Sequence, residues 1–214
     1  LEEQAAKYTM IDDDPALQGK TIAVIEIPAF YRDFQSASRG NEDFRSTTRD
    51  VREILEKLDK EQVDGIVIDL RNNGGGSLTE ATELTGLFIE KGPVVQIRDY
   101  SGEIESEIDP DPQMVYRGPL VVMVNRNSAS ASEIFAGAIQ DYGRGVLVGE
   151  PTFGKGTVQQ LIDLSNYISS GSDMGRLRMT IAQFFRVNGG STQHKGVIPD
   201  ILFPSIEDED YGER

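Results

Sequence analysis

An alternation limits this fold more than any other feature of the chain. Between residues 65 and 148, short apolar runs rich in β-branched residues take turns with longer segments of helical periodicity. GIVIDL (65–70), LVVMV (120–124) and VLV (146–148) read as buried strands. Residues 78–90 place Ala81, Leu84, Leu87 and Phe88 on one helical face. After residue 130, Ala131, Ile134, Phe135, Ala138 and Ile139 do the same, in a helix predicted to end near Gly143. A further strand, TIAVIEI (21–27), precedes the plainest helix, 41–62, whose apolar face is Phe44, Val51, Ile54, Leu55 and Leu58. Parallel strands joined by crossover helices follow from this order, so the predicted class is α/β, built of stacked βα units. Extended segments at 94–100, 157–164 and 176–187 predict a smaller β portion.

The rest of the chain organises around that core. Residues 1–20 read as a polar lead-in or linker, 28–40 as a loop, 101–112 as an acidic hairpin tip and 205–214 as a frayed polar tail. One core domain over 21–204 is expected, since 214 residues suffice for one sizeable core.

Composition removes several classes of function. The formal charge of −15 disfavours nucleic acid and anionic lipid as partners. No cysteine is present, so thiol catalysis, disulfides and Cys-based metal sites are out. A single histidine, His194, excludes multi-His metal sites, and the acidic runs at 12–14 and 109–111 lack the spacing of a calcium loop. No cofactor and no metal are expected. No apolar run reaches the roughly 20 residues of a membrane span. Leu1 is not an initiator Met and no signal peptide opens the chain, so it reads as a processed product or a piece of something longer.

Three segments carry candidate chemistry. NRNSASASEIF (125–135) puts Ser128, Ser130 and Ser132 where a strand runs into a helix. Serines there serve as helix caps, or one of them serves as a nucleophile beside unpaired N–H groups that stabilise an oxyanion. Ser132 lies two positions deeper in the helix, with its hydroxyl directed away from the loop, and Ser128 fits the cap better. The run Gly74–Gly75–Gly76 leaves backbone N–H groups uncovered, either for a turn or for close approach to a carbonyl or phosphate. In GEPTFGKGT (149–157), Gly149, Gly154 and Lys155 match the P-loop spacing G-x-x-x-x-G-K. Gly156 stands where that motif needs Ser or Thr, and the next segment reads as strand, which weakens nucleotide binding. The alternative for Lys155 is a general base. A lysine serves as one only where its surroundings disfavour the charge, as burial does, and its neighbours Phe153, Gly154, Gly156 and Val158 are uncharged. His194 lies in a polar turn and reads as a surface residue.

Four segments together, DLRNNGGGSLTEA (69–81), SASASEIFAGAIQDYGRG (128–145), GEPTFGKGTVQQ (149–160) and FRVNGGSTQHKGVIPDI (185–201), closely resemble the tail-specific, or C-terminal processing, serine proteases. The resemblance runs through about residues 20–204. It implies a ClpP/crotonase-like fold and a Ser/Lys dyad that cleaves proteins with exposed, unstructured, apolar C-terminal tails. Carried over motif by motif, it implies Ser130 as nucleophile, Lys155 as base, Gln159 as the residue assisting Lys155, and an oxyanion hole from the backbone N–H groups of Gly76 and Ala131. Gln159 lies four residues after Lys155, and on an extended segment even separations share a face. Members of this family also carry a PDZ module, which binds apolar C-termini by strand addition, and flanking helical segments. Neither is recognisable here, so the chain looks like the isolated protease core of a longer protein. The resemblance also implies a periplasmic location. Two readings of other classes stand beside it: a catalytically silent peptide-binding scaffold, and the P-loop protein.

Overall fold

The apolar runs become parallel strands. A computed structural model describes residues 5–40, 43–111, 113–164 and 175–204. Its larger sheet has six strands: β1 (Lys7–Ile11), β2 (Ile22–Glu26), β3 (Gly65–Asp69), β6 (Leu120–Val124), β7 (Val146–Gly149) and β10 (Ile201–Leu202), in the spatial order β1-β2-β3-β6-β7-β10. All neighbours pair in parallel except β1, which runs antiparallel to β2 along one edge. Burial alternates along these strands. Ile25, Ile66, Ile68, Val122 and Leu147 are fully covered, whereas Val24, Val67, Val121 and Val148 are half-buried. The strands read as buried are therefore sealed on one face and partly open on the other.

Helices cover the sealed face. The helix α2 (Thr47–Glu61) lays Val51, Ile54, Leu55 and Leu58 into the core; α3 (Leu78–Gly86) adds Ala81 and Leu84; α4 (Ala131–Asp141) adds Phe135 and Ile139. Phe135 stacks edge-on to Phe88 with centroids 5.8 Å apart, a preferred aromatic geometry. The second sheet is antiparallel: β4 (Pro93–Asp99), β5 (Ile104–Ile108), β8 (Thr157–Asp163) and β9 (Arg176–Phe185), in the order β5-β4-β9-β8. It is the predicted smaller β portion, and the fold is the α/β arrangement of βα units that the alternation dictates.

Several boundaries move, each for a local reason. Helix α2 starts at Thr47 rather than residue 41, because the Ser46 hydroxyl caps it through the Arg49 N–H. Phe44 lies ahead of the helix, under the Arg32 guanidinium. Within the predicted loop 28–40, Asp33 caps a short helix α1 (Phe34–Ser38). The supposed lead-in contributes β1, whose KYTMI half-buries Tyr8 and Met10 against the core. In the acidic runs, Asp14 accepts from the Ala16 N–H and Asp111 pairs with Arg52. The tail 205–214 lies outside the described residues.

Candidate active site

Strands β3 and β6 are parallel neighbours, so the loops at their carboxyl ends meet. Asparagines stitch them together. The Asn72 N–H donates to Asn125 Oδ1 at 2.9 Å, and the amides of Asn125 and Asn127 return to Asn72 Oδ1 at 3.0 and 2.9 Å. Asn73, with no exposed surface, donates to the Ile27 carbonyl at 2.7 Å and accepts from the Gly75 N–H at 2.9 Å. Its own carbonyl takes the Ala129 N–H at 3.0 Å and the Ser132 hydroxyl at 2.9 Å.

Two glycines allow the loops this close. Gly75 has φ +98°, and a Cβ there would lie 2.7 Å from the Ala129 carbonyl oxygen. At Gly76, φ +148°, a Cβ would lie 2.2 Å from the carbonyl oxygen of Phe30. The Gly75 N–H is spent on Asn73, whereas no acceptor for the Gly76 N–H is found among the described residues. Ala131 opens α4, where the N–H has no intrahelical partner.

The three serines part company here. Ser128 is buried, and its hydroxyl donates to the Leu70 carbonyl at 2.8 Å while accepting from the Asn125 N–H. It does not cap α4, contrary to the sequence expectation. Ser132 is buried as well, on the Asn73 carbonyl. Ser130 holds the N-cap position instead, with φ 58° and ψ −113°. A positive φ at a non-glycine residue stores about 1–3 kcal/mol and needs surroundings that enforce it.

Glu133 enforces it, and sequence reasoning passed over this residue. Its side chain has no exposed surface. Oε2 accepts from the Ser130 N–H at 2.8 Å and from the Lys155 N–H at 2.9 Å; Oε1 accepts from the Thr152 hydroxyl at 2.6 Å and the Gly154 N–H at 2.8 Å. One carboxylate thus fixes the loop bearing Ser130 and the loop bearing Lys155. Burial pushes the Glu133 carboxyl above the usual glutamate range, and the four donors pull it partly back. The signal that points to this residue was the spacing Ser130-x-x-Glu133, a capping-box pattern.

Lys155 is half-buried rather than enclosed. Its Nζ donates to Gln159 Oε1 at 3.4 Å, a long contact. The alternation argument does not account for that contact. Lys155 lies before β8, and the pairing of β8 with β9 shifts register between Val158 and Gln159. Among the described residues no hydrogen bond joins the Ser130 hydroxyl to Lys155 Nζ. Both residues nonetheless line one cleft of about 460 Å³, together with Gln159, Gly76 and Ala131. Its apolar wall is Phe34, Leu78, Ile134, Val158 and Phe184.

The other candidates fall away. The segment after Lys155 is a strand, β8, so the Gly149–Lys155 loop lacks the helix N-terminus that a P-loop presents to phosphate. His194 is exposed and does not line the cleft, and its backbone N–H supports the Lys155 loop on the Gly154 carbonyl at 2.8 Å.

Comparison with known proteins agrees with this layout. Residues 21–203 match the family model described as Peptidase family S41. The chain is 50% identical, over its whole length, to a tail-specific protease of Haemophilus influenzae. It is 30% identical over 95% of its length to the carboxy-terminal processing protease CtpB of Bacillus subtilis. It spans only 28% and 38% of those two proteins. The solved structure of a photosystem II D1 C-terminal processing protease superimposes with a TM-score of 0.74 at 28% identity, covering 92% of this chain and 48% of that one. By sequence and by fold, the chain belongs to peptidase family S41.

Proposed function

We propose that this chain is the catalytic core of a serine endopeptidase that cleaves proteins with exposed, apolar, unstructured C-terminal tails through a Ser130/Lys155 dyad. The observation that carries the reading is the convergence on one cleft of Ser130, Lys155 and two uncommitted backbone N–H groups, with both loops hung on Glu133. Neutral Lys155 takes the Ser130 hydroxyl proton, and Oγ bonds to the scissile carbonyl carbon. The Gly76 and Ala131 N–H groups receive the resulting oxyanion. When the C–N bond breaks, Lys155 returns the proton to the leaving nitrogen. Water then gives a proton to Lys155 and its oxygen to the acyl carbon, and Ser130 recovers its hydrogen. Gln159 Oε1 orients the amine, and no metal or nucleotide takes part. A bound peptide covering the cleft would strip water from Lys155 and shorten its distance to Ser130. The family resemblance adds a PDZ module and helical segments as partners in the full-length protein, and the periplasm as its location.

The test is cleavage of an unfolded protein with an apolar C-terminus, in EDTA and without nucleotide, using the full-length protein. Wild type cuts; Ser130→Ala and Lys155→Ala do not; His194→Ala does. Loss in His194→Ala with retention in Lys155→Ala would overturn the dyad. The missing Ser130–Lys155 hydrogen bond favours one second reading, a peptide-binding scaffold without turnover. It requires equal peptide binding by wild type and Ser130→Ala, and no cleavage by either.

A further inference from the structure

The chain is strongly acidic, and its arginines mostly meet carboxylates. Arg45, Arg49, Arg52, Arg71 and Arg186 each lie within 3.2 Å of an aspartate. Arg178 departs from this. It is exposed on β9, lines the same cleft as Ser130 and Lys155, and its guanidinium has no hydrogen bond or ion pair among the described residues. The rest of the lining is uncharged, so Lys155 and Arg178 are the two charged side chains of a cleft without a carboxylate.

Chemistry narrows what such a group can meet. A guanidinium keeps its charge at any working pH and offers a planar fork that fits a carboxylate through two hydrogen bonds. In a chain of net charge −15, a bare cation beside the candidate nucleophile is also where the field is least hostile to a bound anion. The register places Arg178 relative to Gln159. Arg178 pairs with Leu161, two residues beyond Gln159 along β8, which is roughly 7 Å at the usual strand rise.

We infer that Arg178 is a specificity residue that pairs with a carboxylate of the bound polypeptide, within about four residues of the scissile bond. This rests on reading the cleft as a peptidase site. The carboxylate comes either from an acidic side chain or from the chain's own C-terminus, and the chemistry of pairing is the same.

The test measures binding apart from turnover. Fluorescein-labelled peptides, extended and apolar, are titrated by anisotropy into full-length Ser130→Ala protein, with and without Arg178→Gln or Arg178→Glu. One peptide series carries Glu or Gln at each of the four positions on either side of the cleaved bond. A second carries a free or an amidated C-terminus. At one position Glu should bind about fivefold tighter than Gln, as a partly exposed, charge-assisted pair would give. Arg178→Gln should erase that difference, and Arg178→Glu should shift the preference to Lys at the same position. A preference for the free acid that vanishes in Arg178→Gln assigns the C-terminal carboxylate instead. Peptide preferences that are absent, or unchanged by both substitutions, overturn the inference. If wild type fails to cleave while the Arg178-dependent preference persists, the peptidase reading fails and the carboxylate site stands. Arg178 is exposed, so neither substitution disturbs the core.

Discussion

Two helices of this molecule begin with the same four-residue pattern and use it in opposite ways. Helix α3 follows Ser77-x-x-Glu80 and helix α4 follows Ser130-x-x-Glu133, and both glutamates are fully buried. Ser77 has an ordinary extended backbone, φ −68°, and its hydroxyl caps the helix through the Glu80 N–H at 3.3 Å. The Glu80 carboxylate is thereby free to reach across to α2. It accepts from the Thr48 N–H and hydroxyl, both at 2.8 Å, and from Arg32 at 2.7 Å. At α4 the roles are exchanged. The Glu133 N–H is met by the Ser130 carbonyl at 2.9 Å, and the carboxylate caps the Ser130 N–H. The Ser130 hydroxyl, though placed as in a capping box, does not hold that N–H alone, because the carbonyl takes it. With its carbonyl on the Glu133 N–H and its own N–H on the Glu133 carboxylate, Ser130 holds the helix start through its backbone, at a strained φ.

Removing each carboxylate breaks this comparison in different currencies. Glu133→Gln puts an NH₂ group among four donors, so at least one loses its acceptor. Displacing a nucleophile or base by about 1 Å costs about 100-fold in rate. Turnover per folded molecule should fall by about that factor with KM changed less than about twofold, because the cleft walls stay in place. A residue that merely stabilised the fold would lower the melting temperature and leave kcat alone. Glu80→Gln should do just that. It takes one of two carboxylates from Arg32, which keeps Glu83 at 3.0 Å, and should cost about 2 kcal/mol in urea unfolding, with the folded enzyme's kcat unaltered. Equal losses of kcat in the two variants would remove the distinction.

Acid should separate them again. The folded chain holds the Glu133 proton more tightly than the unfolded chain does, since burial raises this carboxyl. Its stabilising contribution is therefore full below the ordinary glutamate value and is lost as pH rises through the raised folded value. Acidification in that window does not unfold the protein through Glu133. It does convert an acceptor into a donor, so one of the four bonds to the Ser130 and Lys155 loops must open. Activity should drop there while near-ultraviolet circular dichroism stays native. A carboxylic acid band should appear in the infrared difference spectrum of wild type and be missing in Glu133→Gln. A native site with no such band sinks the assignment.

How much of this was legible in the sequence depends on the range of the interaction. The strands and helices of the core were readable because periodicity is local and the core strands are largely apolar runs. Ser130 and Lys155 were legible as motifs, though the local argument alone misassigned the cap to Ser128. Burying the Ser128 hydroxyl on the Leu70 carbonyl depends on a residue 58 positions away, which no local pattern encodes. The same holds for Glu133, whose four partners come from two loops. Strand β1 escaped because KYTMI is half polar and gains its register only from β2. Lys155 also proved less enclosed than its apolar neighbours implied.

The smallest expected effect is the one with the sharpest sign. Ser77→Ala removes a hydroxyl that caps α3 and should cost about 1 kcal/mol of stability. Ser130→Gly removes a hydroxyl whose capping-box N–H is also held by the Ser130 carbonyl, and relieves a positive φ that a side chain tolerates poorly. The strain released exceeds the added freedom of glycine in the unfolded chain, so this variant should be more stable than wild type by about 1 kcal/mol. Paired urea titrations of the two variants decide the matter. Destabilisation by Ser130→Gly of the same size as that by Ser77→Ala would mean that the Ser130 hydroxyl does help hold its helix. The exchange of roles between serine and glutamate at the two helix starts would then be wrong.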